Sequence, residues 1–242
     1  MRVTILLSTY NGEQFLAEQI ESIQAQTYRD WQLLIRDDGS SDRTRAIIED
    51  FCRQDSRISF INPEHHENLG VIKSFHSLLK YQDSDFYFFS DQDDVWLPDK
   101  LAIQLAAAEK YDASLPLLVY TDLKVVDQEL NIVHESMIRT QSDHANTELI
   151  QELTENTVTG GVSMINQALA DLWTGQEEYE LLMHDWYLGL LASAFGQLVY
   201  LDQPGELYRQ HSNNVLGART LRKRMKNWIH PSRLFAKYWK LI

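Results

Sequence analysis

The sequence predicts an α/β domain in which a mostly parallel central sheet is covered by helices on both faces. Three observations predict it. Apolar runs alternate with segments of helical spacing from the N-terminus onward. The runs are continuously apolar, as in strands buried on both faces. Polar, glycine- or aspartate-bearing loops close the first, second and fourth of them.

Residues 3–7 are the first apolar run, too short for the core of a secretory signal, and they end in Ser8-Thr9-Tyr10-Asn11-Gly12. Phe15, Ile20 and Ile23 then recur at helical spacing. A second run, 31–35, closes with Arg36-Asp37-Asp38-Gly39-Ser40-Ser41-Asp42. Ile47, Ile48 and Phe51 mark one face of a helix that begins near Thr44. The third run is 58–61, the next helix 71–81, and the fourth run, 86–89, ends at Ser90-Asp91-Gln92-Asp93-Asp94. Past Leu101 the pattern loosens. Residues 117–120 read as strand, 121–133 as strand and turn, and Thr159-Gly160-Gly161 as a glycine loop before the run 162–166. A helix over 181–195 and a strand over 197–201 follow. No repeat or low-complexity linker divides the chain, so we expect one domain over residues 1–216 and a tail over 217–242.

Hydrophobic residues make up 44% of the 242 and charged residues 24%, an ordinary globular balance that excludes disorder as the default. Cys52 is the only cysteine, which rules out an intramolecular disulfide or a cysteine-built zinc site. It fits a reducing cytosol. No stretch approaches the roughly 20 apolar residues that cross a bilayer. The expectation is a cytoplasmic protein, at most attached to the cytoplasmic face of the cell membrane. The net charge of −13 is uneven: residues 219–242 carry eight basic and no acidic side chains, leaving 14 basic against 35 acidic in the rest. So acidic a body excludes nucleic acid as its partner.

In parallel sheets ligands bind beyond the carboxyl ends of the strands, so the loops after runs one, two and four are expected to converge. Three carboxylates within Asp91-Gln92-Asp93-Asp94 repel one another unless a cation or donors neutralise them. Hard oxygen ligands suit Mn²⁺ or Mg²⁺, which would in turn hold a diphosphate. Asp94 and Asp99 can equally serve a helix N-terminus with Pro98 at an early helical position; metal and nucleotide roles fall to Asp91 and Asp93. In the second loop Asp38 can accept the imide N–H of a uracil or thymine, while Ser41 or Asp42 caps the helix beyond. Tyr10 can stack on the base or simply pack. Arg209 can offset phosphate charge.

These segments, with Asn68-Leu69-Gly70 and Asp91-Gln92-Asp93-Asp94-Val95-Trp96, resemble the family 2 glycosyltransferases of the GT-A, Rossmann-like fold. The likeness is dense over 1–104 and traceable to about residue 216. It implies a nucleotide-sugar-binding half over about 1–104 and an acceptor-binding half over about 105–216. It also implies an enzyme that moves a sugar from a nucleoside diphosphate to an acceptor hydroxyl with inversion. Ser8 and Tyr10 would lie at the nucleotide, Asp38 at its base, Asp91 at ribose and diphosphate, and Asp93 on the metal. The family's base is an acidic residue opening a later helix. Met183-His184-Asp185-Trp186-Tyr187 matches, so Asp185 is the candidate, with His184 where a second acid is usual and Trp186 on the acceptor side. His211 would help hold the metal or diphosphate, although Tyr208-Arg209-Gln210-His211 also reads as a polar surface turn. Gly160 and Gly161 look like the acceptor-side loop, or a plain turn. The segments around 91–96 and 209–214 look most like rhamnosyltransferases using dTDP-L-rhamnose, with a UDP-sugar as the alternative donor.

The acceptor would be a saccharide or a lipid-linked saccharide in cell-surface polysaccharide synthesis. Residues 219–242 interleave cations with Leu221, Trp228, Phe235 and Trp239. That is the composition of an amphipathic helix on an anionic membrane, of a helix packed on the acidic body, or of a homodimer contact. Two other functions deserve weighing. A nucleotidyltransferase would need a glycine-rich basic loop that Ser8-Thr9-Tyr10-Asn11-Gly12 lacks. A binding module would have no use for a base.

Overall fold

The first four apolar runs are parallel strands: β1 (Val3–Thr9), β2 (Gln32–Asp37), β3 (Ile58–Phe60) and β4 (Phe86–Ser90). Between them lie α1 (Leu16–Gln24), α2 (Thr44–Gln54) and α3 (Val71–Leu79). This computed structural model describes residues 1–175 and 183–211. After β4 come β5 (Val95–Trp96), α4 (Lys100–Ala108), β6 (Leu117–Val126), β7 (Ile132–His134), α5 (Met137–Gln141) and α6 (Leu149–Glu152). A single 3₁₀ turn (Gly160–Val162), β8 (Ser163–Asn166), α7 (Gln167–Thr174), α8 (His184–Phe195) and β9 (Gln197–Arg209) complete the described chain.

The expected layering follows from residue alternation. On β1, Ile5 and Leu7 face one side and Leu6 the other, and all three are fully buried. One core joins Ile5 and Leu7 to Leu16, Ile20, Ile48 and Leu101 of α1, α2 and α4. The second joins Leu6 to Phe75, Leu169, Trp173 and Leu188 of α3, α7 and α8. A strand needed on both faces has no room for a polar alternation, which is why the sequence reads as unbroken apolar runs.

The strand order is β3-β2-β1-β4-β8-β6-β9-β5, with β7 on β6. The parallel pattern of the first half gives way to a mixed one. The strand β8 runs antiparallel to both β4 and β6, and β6 and β9 are parallel. Four strand spacings of about 4.8 Å would separate β4 from β5 in a flat sheet, about 19 Å. The chain from Ser90 to Val95 reaches about 18 Å at full stretch. The sheet must therefore curl, and the Ser22 hydroxyl of α1 accepts the Trp96 N–H at 3.0 Å where it does.

Several boundaries differ from expectation. The strand foreseen at 197–201 continues to Arg209, and 121–126 extends β6. The last helix begins at His184, residues 181 and 182 lying outside the described part. The position preceding α2 is Arg43, so neither Ser41 nor Asp42 is its N-cap; Asp42 instead accepts the Thr44 N–H at 3.0 Å. Asp99 precedes α4 without capping it and accepts from the Thr27 hydroxyl at 2.8 Å. The basic segment 219–242 lies outside the described residues. Among the described residues no helix is long and apolar enough to cross a membrane.

Candidate active site

The loops after β1, β2 and β4 meet at one edge of the sheet, and a side chain not foreseen from the sequence ties them. Gln92 Oε1 accepts from Thr9 Oγ1 at 2.5 Å and from the Tyr10 N–H at 2.8 Å, while its Nε2 donates to Tyr10 O at 3.0 Å. A Cβ on Gly12 would stand 2.2 Å from Gln92 Oε1, so glycine is required for this clamp. Asn11 bridges to the second loop: its N–H donates to Ser40 Oγ at 2.9 Å, and its Oδ1 accepts the Ser41 N–H at 2.9 Å. The Tyr10 ring stays half exposed above this junction, and Ser8 lies on β1 beside Arg36 of β2.

Asp38 is buried, and its carboxylate is largely engaged. Oδ1 accepts from Arg36 at 2.5 Å and the Leu69 N–H at 2.7 Å, and Oδ2 accepts the Gly70 N–H at 2.9 Å. Burial opposes the charge, but the Leu69, Arg36 and Gly70 bonds outweigh it and hold the carboxyl below its usual range. Asp38 thus organises Asn68-Leu69-Gly70, and any base contact falls to the remaining lone pair on Oδ2.

The Asp91-Gln92-Asp93-Asp94 loop is fixed from the far end of the chain. Immediately after it, β5 pairs antiparallel with β9, setting Val95 opposite Leu207 and Trp96 opposite Glu206. Arg209, at the end of β9, is buried and donates to Asp93 O at 2.9 Å, to Gln128 O at 2.5 Å and to Glu18. Its guanidinium also lies 4.6 Å from the Phe15 ring centre. Its fork braces the turn that presents Asp93. Asp94 accepts the Arg209 N–H at 2.9 Å and is fully buried, so it belongs to this brace and not to a helix dipole.

Two residues named from distant segments do come together. His211 Nε2 is 2.7 Å from Asp93 Oδ2, with the imidazole stacked on Phe15. Asp91, next to them, is pushed up to about 8 by burial first, then by the charges of Asp93, Glu206 and Asp185, with Lys100 opposing. Asp94 is raised by burial and by Glu206, Asp93 and Asp91. Carboxyls crowded this closely are what a divalent cation would relieve, and the residues fit Mn²⁺ or Mg²⁺ with Asp93 and His211 as ligands. Among the described residues no three such side chains form a ready cage. Mg²⁺ in particular is commonly held by one or two carboxylates plus substrate phosphates.

Asp185 opens α8 beside this cluster. Its Oδ1 accepts the Trp186 N–H at 2.7 Å, and the backbone amide of Gly160 lies near enough to favour its ionised form. Burial pushes the carboxyl up to about 6 despite these contacts. A buried carboxylate poised near neutrality is suited to proton abstraction. His184 turns away into an aromatic cluster, 4.6 Å from Phe75, 5.2 Å from Phe89 and stacked 6.0 Å from Trp173, ring centre to ring centre. Burial lowers it to about 3, so it is neutral. The position next to the base is therefore a core position in this chain. Gly160 fits beneath it, since a Cβ there would lie 3.0 Å from His184 Nε2. The Trp186 indole donates to Glu152 O at 2.8 Å, tying α8 to α6.

Ser212, Asn213 and Asn214 fall outside the described residues. A cavity of approximately 650 Å³ lies at the opposite edge, around Arg2, Trp31 and Asp85 at the amino ends of β1 and β4. It holds none of these groups.

Residues 4–173 match the family described as Glycosyl transferase family 2. The dTDP-rhamnosyl transferase RfbG of Shigella flexneri is 30% identical over 228 residues, covering 88% of this chain and 74% of that protein. Among solved structures, Staphylococcus aureus TarS 1–349 in complex with UDP-GlcNAc superposes with a TM-score of 0.67 at 18% identity, over 88% of this chain and 60% of that one. The mannosyltransferase PcManGT from Pyrobaculum calidifontis, in complex with GDP-Man and Mn²⁺, gives 0.62 at 14% identity, over 98% and 64%. At those identities the two structures speak for the fold. The chain spans less than two thirds of either.

Proposed function

The chain belongs to glycosyl transferase family 2, and from that premise we propose that it transfers a sugar, with inversion, from a nucleoside diphosphate to an acceptor hydroxyl. The observation that carries this is the meeting of Asp93, His211 and Asp91 with Asp185: a carboxylate pair suited to a cation faces a carboxyl suited to act as a base. The proposed donor is dTDP-L-rhamnose, supported by the likeness to the Shigella protein, with UDP-sugars next in order. The proposed acceptor is a saccharide or lipid-linked saccharide of a surface polysaccharide.

In this reading Tyr10 stacks on the base and Asp38 Oδ2 takes its imide N–H. Ser8 and Asp91 lie along the nucleoside and diphosphate. Asp93 and His211 hold Mn²⁺ or Mg²⁺, which when bound neutralises charge on the departing diphosphate. Asp185 takes the proton of the acceptor hydroxyl as its oxygen bonds to the anomeric carbon, and the electron pair of the breaking bond leaves on the diphosphate. Gly160, Gly161 and Trp186 frame the acceptor. Arg209 keeps Asp93 in place and adds positive charge beside the diphosphate. Residues 219–242 would bring the enzyme to an anionic membrane through their eight cations.

The test is transfer by the purified chain with Mn²⁺ across dTDP-rhamnose, UDP-glucose, UDP-galactose and UDP-GlcNAc, using lipid-linked and soluble saccharide acceptors. The expected result is one donor turned over, with an inverted product. Tight nucleotide binding without turnover of any donor would sink the catalytic reading. Liposome co-sedimentation with and without residues 219–242 tests the membrane contact, and equal binding would remove it.

A further inference from the structure

Behind the site lies an ion pair that the proposed chemistry does not use. Lys100, the first residue of α4, is fully buried, as is Glu206 of β9. Lys100 Nζ donates to Glu206 Oε2 at 2.8 Å and to Gly161 O, and sits 3.8 Å from the Trp96 ring centre. A buried pair of this kind is a poor source of stability, because desolvation offsets its attraction. Its placement suggests another role.

We propose that Lys100 is a positioning residue for Asp185, acting through the Gly160-Gly161 turn. This rests on the reading of Asp185 as the base. Two contacts make the link: the ammonium holds the Gly161 carbonyl, and Gly160 of the same 3₁₀ turn packs against the start of α8, where an added Cβ would lie 3.0 Å from His184 Nε2 and 4.0 Å from Asp185 Cβ. The turn has little freedom to absorb a change. A Cβ on Gly161 would lie 2.7 Å from Glu206 Oε1, and one on Gly160 would meet His184. Lys100 therefore connects the strand after the Asp91–Asp94 loop, the last strand and the turn beside the base. The ionisable groups facing Asp185 are Asp91, Glu152 of α6 and the neutral His184.

Lys100→Met alone would strand Glu206 and risks unfolding, so the test is the full-length Lys100→Met/Glu206→Met variant, which removes one charge of each sign. Gly161→Ala serves as a second variant that keeps both charges but sets a methyl against Glu206 Oε1, disturbing the contact between Lys100 and the turn. The readouts are Asp185 titration by ¹³C NMR of aspartate-labelled protein, assigned with Asp185→Asn, and acceptor kcat/KM. In both variants the Asp185 titration is expected to move up by about one pH unit as the turn's backbone amide shifts away from the carboxylate. The kcat/KM is expected to fall about 100-fold, while stabilisation by dTDP or UDP with Mn²⁺ is retained. An unmoved titration in both folded variants, or wild-type kcat/KM in the double variant, overturns the proposal. A wild-type protein that transfers no sugar would instead count against the enzymatic reading, and the NMR titration would still decide the positioning role.

Discussion

Replacing Gln92 with alanine should weaken nucleotide binding without touching a nucleotide contact. The amide makes three hydrogen bonds, to the Thr9 hydroxyl and to both sides of Tyr10. A net hydrogen bond is worth about 1 kcal/mol. The two at Tyr10 are exposed and water replaces much of them, but Thr9 is buried and its hydroxyl would be stranded at a cost of about 1–3 kcal/mol. The sum, about 2 kcal/mol, corresponds to a roughly 30-fold change in an equilibrium constant. If donor binding must order this junction, the Kd of dTDP or UDP measured by calorimetry rises about 10- to 30-fold. Gly12→Ala should act in the same direction, because its Cβ would displace the Gln92 amide. In the double variant the two losses should overlap, since there is no amide left to displace. Strictly additive losses, or an unchanged Kd in Gln92→Ala, would refute the clamp.

Three further outcomes are expected. Asp185→Asn should leave nucleotide binding intact and lower transfer by about 100- to 10,000-fold; in the wild type, kcat/KM should rise tenfold per pH unit below about 6 and level off above it, because the base works only when ionised. Asp93→Ala should abolish the thermal stabilisation that Mn²⁺ adds to nucleotide, and EDTA should do the same to the wild type. His184→Glu, which restores the acidic neighbour usual in the family, would place a carboxyl among Phe75, Phe89 and Trp173. Its Tm should fall by about 6 °C or more, as expected for about 3 kcal/mol in a chain of this size.

What the sequence made legible is what local patterning encodes. The runs at β1, β2 and β4 announce buried strands, and the glycines and aspartates that follow them announce loops with chemistry. Partnership over long separations was not legible. Whether Arg209 faces phosphate or a backbone carbonyl depends on β9 docking against β5, more than a hundred residues earlier. The clamp made by Gln92 was not foreseen, because it depends on Thr9, Tyr10 and Gly12 some eighty residues earlier. The pairing of Lys100 with Glu206 was not legible either, since a single buried ion pair leaves no periodic trace. His184 looked like part of the site because it adjoins Asp185, yet neighbouring residues on a helix are rotated about 100° apart. One faces the site and the other the core. The helices α5 and α6 are too short to show a repeat.

The two-residue strand β5 carries a temporal implication. Its antiparallel partner β9 is among the last described segments a ribosome would release. A nascent chain could pair β1 through β4 early, since those contacts are comparatively close in sequence. Asp93 and Asp94, however, would wait for Arg209 and His211 before settling. Completion of the site is thus tied to the last strand, so the loop that presents Asp93 takes its final form only after β5 and β9 have paired.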